Sequence, residues 1–167
     1  AARQQPSVGV LDPLFARGLY FHDGASRLLW IHCDLIGFDA EIVVAFRSWA
    51  ARELGLQPSE VMLSATHTHA GPCTIRLESA GAYDGRYVAL LQLRLQRAAH
   101  EAMARVDDCA VVTVEGRLEL AIDRRAQPSA HTDPHVGAVG FVRADGTFAA
   151  ALVNYAIHPV ALGPDNR

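Results

Sequence analysis

The segment Ser64-Ala65-Thr66-His67-Thr68-His69-Ala70-Gly71-Pro72 sets two imidazoles two positions apart, after the apolar run Val61-Met62-Leu63 and before a Gly-Pro turn signal. In extended backbone, side chains two apart share a face, so His67 and His69 can converge on one point at the end of a buried strand. Converging neutral imidazoles are a common way to hold a divalent transition metal, with zinc the default ion. A third histidine, His158, also ends an apolar run, Ala149 to Ile157, and precedes Pro159. Two strand-end histidines so distant in sequence meet only if their strands finish at the same sheet edge, where α/β folds place ligands. Arg124 and Arg125 lie just past another strand-like run. An arginine there could bind an anionic group or a developing oxyanion.

The elements that must position these groups follow from periodicity and turn residues. Leu14 to Phe21 reads as a first strand, joined through an Asp23-Gly24 turn to a second, Arg27 to Ile36, whose nearly continuous apolar run suits a strand covered on both faces. Asp39 can cap a helix running to about Leu54, where Ile42, Val43, Phe46, Trp49, Ala50 and Leu54 recur at helical spacing and Gly55 supplies the stop. After the third strand and the two histidines comes a polar, glycine-bearing loop from Cys73 to Gly85. A second helix follows from Arg86 to about Val106, with Tyr87, Leu90, Leu91, Leu95, Ala98, Ala102 and Met103 in one stripe. Ala110 to Ile122 is a strand of period two, and Val136 to Val142 with Phe148 to Ile157 forms a hairpin across Asp145-Gly146. The order predicts an α/β layered domain with a mixed β-sheet flanked by helices, one domain over residues 1–167 and incomplete at both ends.

Composition narrows the partners. The chain has 167 residues, half of them hydrophobic, enough for a real core. A formal charge of −3 with no basic run argues against nucleic acid or an anionic membrane surface as the main partner. Every basic residue is arginine, which reads as compositional bias. Cys33, Cys73 and Cys109 form no CxxC and no disulfide framework; the expectation is two buried thiols in strands and one, Cys73, in a loop. No apolar stretch is long enough to span a membrane, and the first residues carry no apolar signal core.

Four segments carry a resemblance. His67-Thr68-His69-Ala70-Gly71-Pro72, Ile122-Asp123-Arg124-Arg125, Asp133-Pro134 with the strand after it, and Val153-Asn154-Tyr155-Ala156-Ile157-His158-Pro159 occur in the order seen in the neutral/alkaline non-lysosomal ceramidase family. Asp34-Leu35-Ile36-Gly37 also resembles that family's second-strand ending. The resemblance covers nearly the whole chain, as part of the family's N-terminal catalytic domain. It implies a zinc amidohydrolase that cleaves N-acylsphingosine to a fatty acid and a sphingoid base. By the same resemblance His67 and His158 are zinc ligands, His69 is a catalytic or substrate-contacting group beside the metal, and Arg124, with Arg125 as the alternative, is the oxyanion-stabilising arginine. It further implies a small lipid-like amide substrate and admits peripheral membrane contact. Secreted and periplasmic settings are both compatible with it.

Departures from the family pattern are specific. Cys73-Thr74 stands where the family often has Gly-Gly, and Asp123 precedes the arginine where Asn is usual. Cys73 is expected to be an ordinary loop thiol, with a soft metal ligand as the alternative. The family completes its zinc site with a glutamate and a tyrosine far downstream and carries an immunoglobulin-like C-terminal domain. The expectation is therefore a fragment of such an enzyme, inactive alone, that needs the remaining part of the same protein for its missing ligands. The alternatives are a non-catalytic metal-binding domain and a metal hydrolase acting on another amide or ester. A (β/α)8 metal hydrolase would open with the HxH strand, whereas here two strands and a helix precede it. A metallo-β-lactamase fold would want an aspartate at position 71, which is glycine.

Overall fold

A computed structural model of the chain describes residues 9–77, 81–123 and 131–160. These group into two compact units. One takes in the described residues up to Val106 together with Pro159 and Val160, and the other runs from Asp107 to His158.

The first unit is built on a mixed sheet. Strand β1 (Ala16–His22) pairs antiparallel with β2 (Arg27–Cys33), in register from Ala16 opposite Cys33 to His22 opposite Arg27. The hairpin closes where the Asp23 carboxylate accepts the N–H groups of Ala25 and Ser26 at 2.9 and 2.8 Å, while Gly24 takes φ 91°. Helix α1 (Ala40–Leu54) then leads through a 3-10 turn, Pro58–Glu60, to β3 (Val61–Ala65), which pairs parallel with β2. Helix α2 (Gly85–Met103) completes the unit.

The core lies on one face of this sheet. Leu29, Ile31 and Cys33 of β2 are fully buried with Ile42, Phe46 and Ala50 of α1 and Leu91, Leu95 and Ala99 of α2. Truncating a residue such as Phe46 would cost about 3–5 kcal/mol. Helix α2 lies close on β1: a Cβ at Gly18 would stand 2.5 Å from the Ala98 carbonyl oxygen. Strand β2 is not covered on both faces, as its apolar run suggested, because Trp30 and His32 alternate outward and are only half-buried. There the Ser64 hydroxyl accepts from the Trp30 indole N–H at 2.6 Å and lies 2.8 Å from His32 Nδ1.

The helix ends show which sequence signals work by which route. Gly55 terminates α1 in the left-handed region, φ 66°, with its N–H on the Ala50 carbonyl. Asp39 occupies the N-cap position, but its carboxylate receives the Arg76 backbone N–H and side chain at 3.1 and 2.8 Å instead of capping the helix. The α2 N-terminus is capped in the ordinary way, by Asp84 accepting from Arg86 and Tyr87. In the α2 stripe Leu91, Leu95 and Ala98 are buried, whereas Leu90 is 45% exposed.

The second unit is an antiparallel sheet in the order β4 (Ala110–Arg117), β5 (His135–Val142), β6 (Phe148–Tyr155). The Asp145-Gly146 turn joins β5 to β6, with the Asp145 carboxylate accepting the Thr147 N–H and hydroxyl and Gly146 at φ 84°. Strand β4 stops at Arg117, not Ile122. The Tyr155 hydroxyl captures the chain beyond it, accepting from the N–H groups of Leu120 and Ala121 and donating to the Leu118 carbonyl at 2.7 Å. Val112, Val114 and Val153 share one face of this sheet and stand exposed. The class is α/β as expected, realised as one mixed and one antiparallel sheet.

Candidate metal centre and the groove beside it

Strand β3 ends at Ala65, and the Thr66 N–H makes one further bond to the Cys33 carbonyl at 3.0 Å. The chain then turns sharply. His67 has φ 63°, the one non-glycine residue of positive φ among those described. An L-residue pays about 1–2 kcal/mol for this conformation, and such strain collects at sites where a side chain must be aimed. The His67 and His69 rings do meet, 5.0 Å apart between centroids and at 89° to one another. They are brought together by the left-handed kink after the strand, not by the pleat of an extended segment. The Thr66 and Thr68 hydroxyls hold the kink by accepting the N–H groups of Thr68 and Ala70 at 3.4 and 3.3 Å.

One ring nitrogen of His67 is committed. Nδ1 lies 2.8 Å from the Ile36 carbonyl oxygen, which can only accept, so the proton sits on Nδ1. The neutral ring then carries its lone pair on Nε2. A protonated nitrogen on a backbone carbonyl with the other left to coordinate is the usual arrangement of a metal-bound imidazole. The ligand atoms offered by His67 and His69 lie within 4.8 Å of each other. Two nitrogens each about 2.1 Å from one zinc ion stand no more than about 4.2 Å apart, so a small ring rotation brings the pair to coordinating distance. This donor set fits a zinc-type ion.

His158 is exposed and follows β6 as the last residue of the second unit; the chain rejoins the first unit at Pro159. Arg124 and Arg125 lie outside the described residues. Their neighbour Asp123 accepts the His131 backbone N–H at 2.7 Å. Nearby, the His135 backbone N–H and ring on Asp133 hold that carboxyl below its usual range.

The three cysteines are free. Burial pushes the Cys33 thiol up to about 12, so it is inert at neutral pH. Cys73 is also buried, its thiol donating to the Ile75 carbonyl, and it stands outside the histidine group that could hold a metal. The buried thiols are thus Cys33 in a strand and Cys73 in a loop, while Cys109 is half-exposed ahead of β4. Thr74 is fully buried and donates to the Gly37 carbonyl at 2.7 Å. The Cys73-Thr74 pair, where flexible glycines were the comparison, therefore anchors its loop.

A broad groove in the first unit is lined by His69 and Pro72, by Leu14 and Phe15, and by Leu90 and Arg94 of α2. Sequence reasoning missed it. The available signal was Leu90, an apolar residue of the helical stripe between Arg86 and Arg94.

No protein-family model matches the chain, and no curated protein does. Solved structures do match. The fold superposes on neutral ceramidase from Pseudomonas aeruginosa with a TM-score of 0.78 at 22% identity, covering 92% of this chain and 28% of that one. It also superposes on a ceramidase complexed with C2, with a TM-score of 0.73 at 21% identity over 87% of this chain and 26% of that one. The chain spans about a quarter of the length of these ceramidases, and the likeness is one of fold.

Proposed function

We propose that the chain carries the metal-binding part of a zinc-dependent hydrolase of lipid-like acyl amides. In this reading His67 and His158 are ligands and His69 is the proton-handling group beside the ion. The observation that carries it is the His67 ring, held in a strained backbone with Nδ1–H on the Ile36 carbonyl, which puts the lone pair of the neutral ring on Nε2. The pairing of the His67 and His69 rings, whose ligand atoms lie within 4.8 Å of one another, supports the same reading. So does the fold shared with two ceramidases.

Zinc in such a site supplies a Lewis acid for the amide carbonyl and lowers the pKa of water toward neutrality. The chain's own residues would do the rest. His69 takes the proton from the attacking water and returns one to the leaving nitrogen as the C–N bond breaks. Arg124 is assigned to the oxyanion of the tetrahedral intermediate. Catalytic zinc ordinarily has three protein ligands. With His67 and His158 as two of them, this reading assigns the third to the remaining part of the same enzyme.

One observation favours a second reading: the close pairing of His67 and His69 also suits His69 as the third ligand. Zinc affinity separates the two. His67→Ala and His158→Ala are each expected to weaken zinc binding by more than about a hundredfold, while His69→Ala retains the ion. Equal losses in all three variants would make His69 a ligand. Failure of the unaltered chain to take up zinc at micromolar concentration would sink the metal reading. Hydrolysis of N-acylsphingosine, set against other amides and esters, decides the substrate.

A further inference from the structure

We propose that the groove beside His69 selects acyl amides whose polar end is anionic, N-acyl amino acids as a class, and that Arg86 and Arg94 recognise that anionic group. The inference deepens the hydrolase reading and rests on it for the amide. Its own support is the charge and polarity of the groove.

Arg86, Leu90 and Arg94 follow at four-residue steps on one face of α2, and all three line the groove. Leu90, Leu14 and Phe15 are large apolar side chains left 45%, 38% and 50% exposed there, a surface for an acyl chain. The cations are uncommitted. Neither the Arg86 nor the Arg94 guanidinium has an ion pair or hydrogen bond among the described residues, whereas Arg97 farther along the groove is tied to Glu101 at 2.6 Å.

The groove's carboxylates are mostly spent elsewhere. Asp34 is on Arg17, Asp84 caps α2, and Glu101 is on Arg97. Asp12 alone remains among the described carboxylates of the wall, against two unpaired arginines. Two cations flanking an apolar side chain, in a groove that His69 also lines, match a molecule with an acyl chain, an amide and a carboxylate. A neutral amide would leave both guanidiniums without a partner.

The test is calorimetric binding of N-dodecanoylglycine and N-dodecanoylethanolamine to the zinc-loaded chain, two amides that differ in the charge of the polar end. The glycine conjugate is expected to bind about five- to tenfold more tightly, as two exposed ion pairs allow. High salt should erase most of that preference. Arg86→Ala/Arg94→Ala should reduce it to within about twofold with unchanged circular dichroism, since both side chains are exposed. Arg52→Ala, on α1 and away from the groove, is the control.

Equal affinities, or a preference that survives in the double variant, would overturn the proposal. It is equally overturned if the double variant loses binding to phosphatidylglycerol vesicles while keeping its preference for the soluble conjugate, because the arginines would then serve a membrane surface. Zinc uptake measured on the same samples reports separately on the hydrolase reading.

Discussion

A histidine at φ 63° is held against its own backbone preference. The strain is about 1–2 kcal/mol, and the hydrogen bond from Nδ1 to the Ile36 carbonyl offsets about 0.5–1.5 kcal/mol of it. Replacing the side chain separates the two effects. His67→Ala loses the bond and keeps the strain, while His67→Gly loses both. Without metal, the glycine variant is therefore expected to be about 0.5–1 kcal/mol more stable than the alanine variant in urea, after allowing for glycine's greater freedom when unfolded. An alanine variant of equal stability would mean that position 67 stores no strain. The histidine types and their spacing were legible in the sequence. The kink was not, because a left-handed non-glycine residue leaves no compositional mark and depends on a carbonyl thirty-one positions away.

At the scale of elements, the pairing of β2 with β3 sets His32 opposite Ser64 and lets one hydroxyl join two side chains. The indole N–H can only donate, so the Ser64 oxygen accepts from Trp30, and its own proton can go to His32 Nδ1 when that imidazole is neutral. Burial agrees, holding His32 below its ordinary 6.5 against the opposing pull of Asp34. A depressed pKa means that the unfolded chain takes up the proton first. The stability linked to His32 is thus complete above about pH 6.5 and declines as the pH falls below it. Metal-free protein should show a falling urea midpoint between about pH 7 and 5.5, and His32→Gln should flatten that part of the profile. An identical slope in the variant would place the titration in another residue. Helix α1 was read almost to its ends because Asp39 and Gly55 mark them, although Asp39 marks its end while bonding Arg76. Residues 118–122 look apolar and extended in sequence, yet β4 stops before them because Tyr155, far along the chain, takes backbone groups of Leu118, Leu120 and Ala121.

For the molecule as a whole, the two sheets differ in how well their apolar residues are covered. The mixed sheet buries one face under two helices. In the antiparallel sheet Val114 and Val153 are 66% and 69% exposed, on either side of Ala138 in a single row. Exposed apolar patches of this kind bind hydrophobic probes and invite association. Val114→Lys/Val153→Lys is expected to cut binding of an anilinonaphthalene dye by about half while changing stability by no more than about 0.5 kcal/mol per site. Dye binding that does not change would locate the probe in the α2 groove. Alternation in β4 to β6 was visible in the sequence, but which face stays open depends on everything that folds around it. The groove was hidden for a related reason: Arg86 and Arg94 are informative because their guanidiniums lack partners among the described residues, and only the folded arrangement shows which arginines those are.

Ile36 and Gly37 fix the site through their carbonyl oxygens, one on the His67 ring and the next on the Thr74 hydroxyl. A carbonyl belongs to the main chain and survives any change of side chain. Homologues can therefore drift at position 36 among apolar residues without releasing the imidazole, and a search for the residue that orients His67 by its identity would find nothing. What such lineages must preserve is the path of the backbone between Cys33 and α1. The inheritance that matters here is one of shape, carried by the length of that loop and the buried Leu35 and Ile36 that seat it.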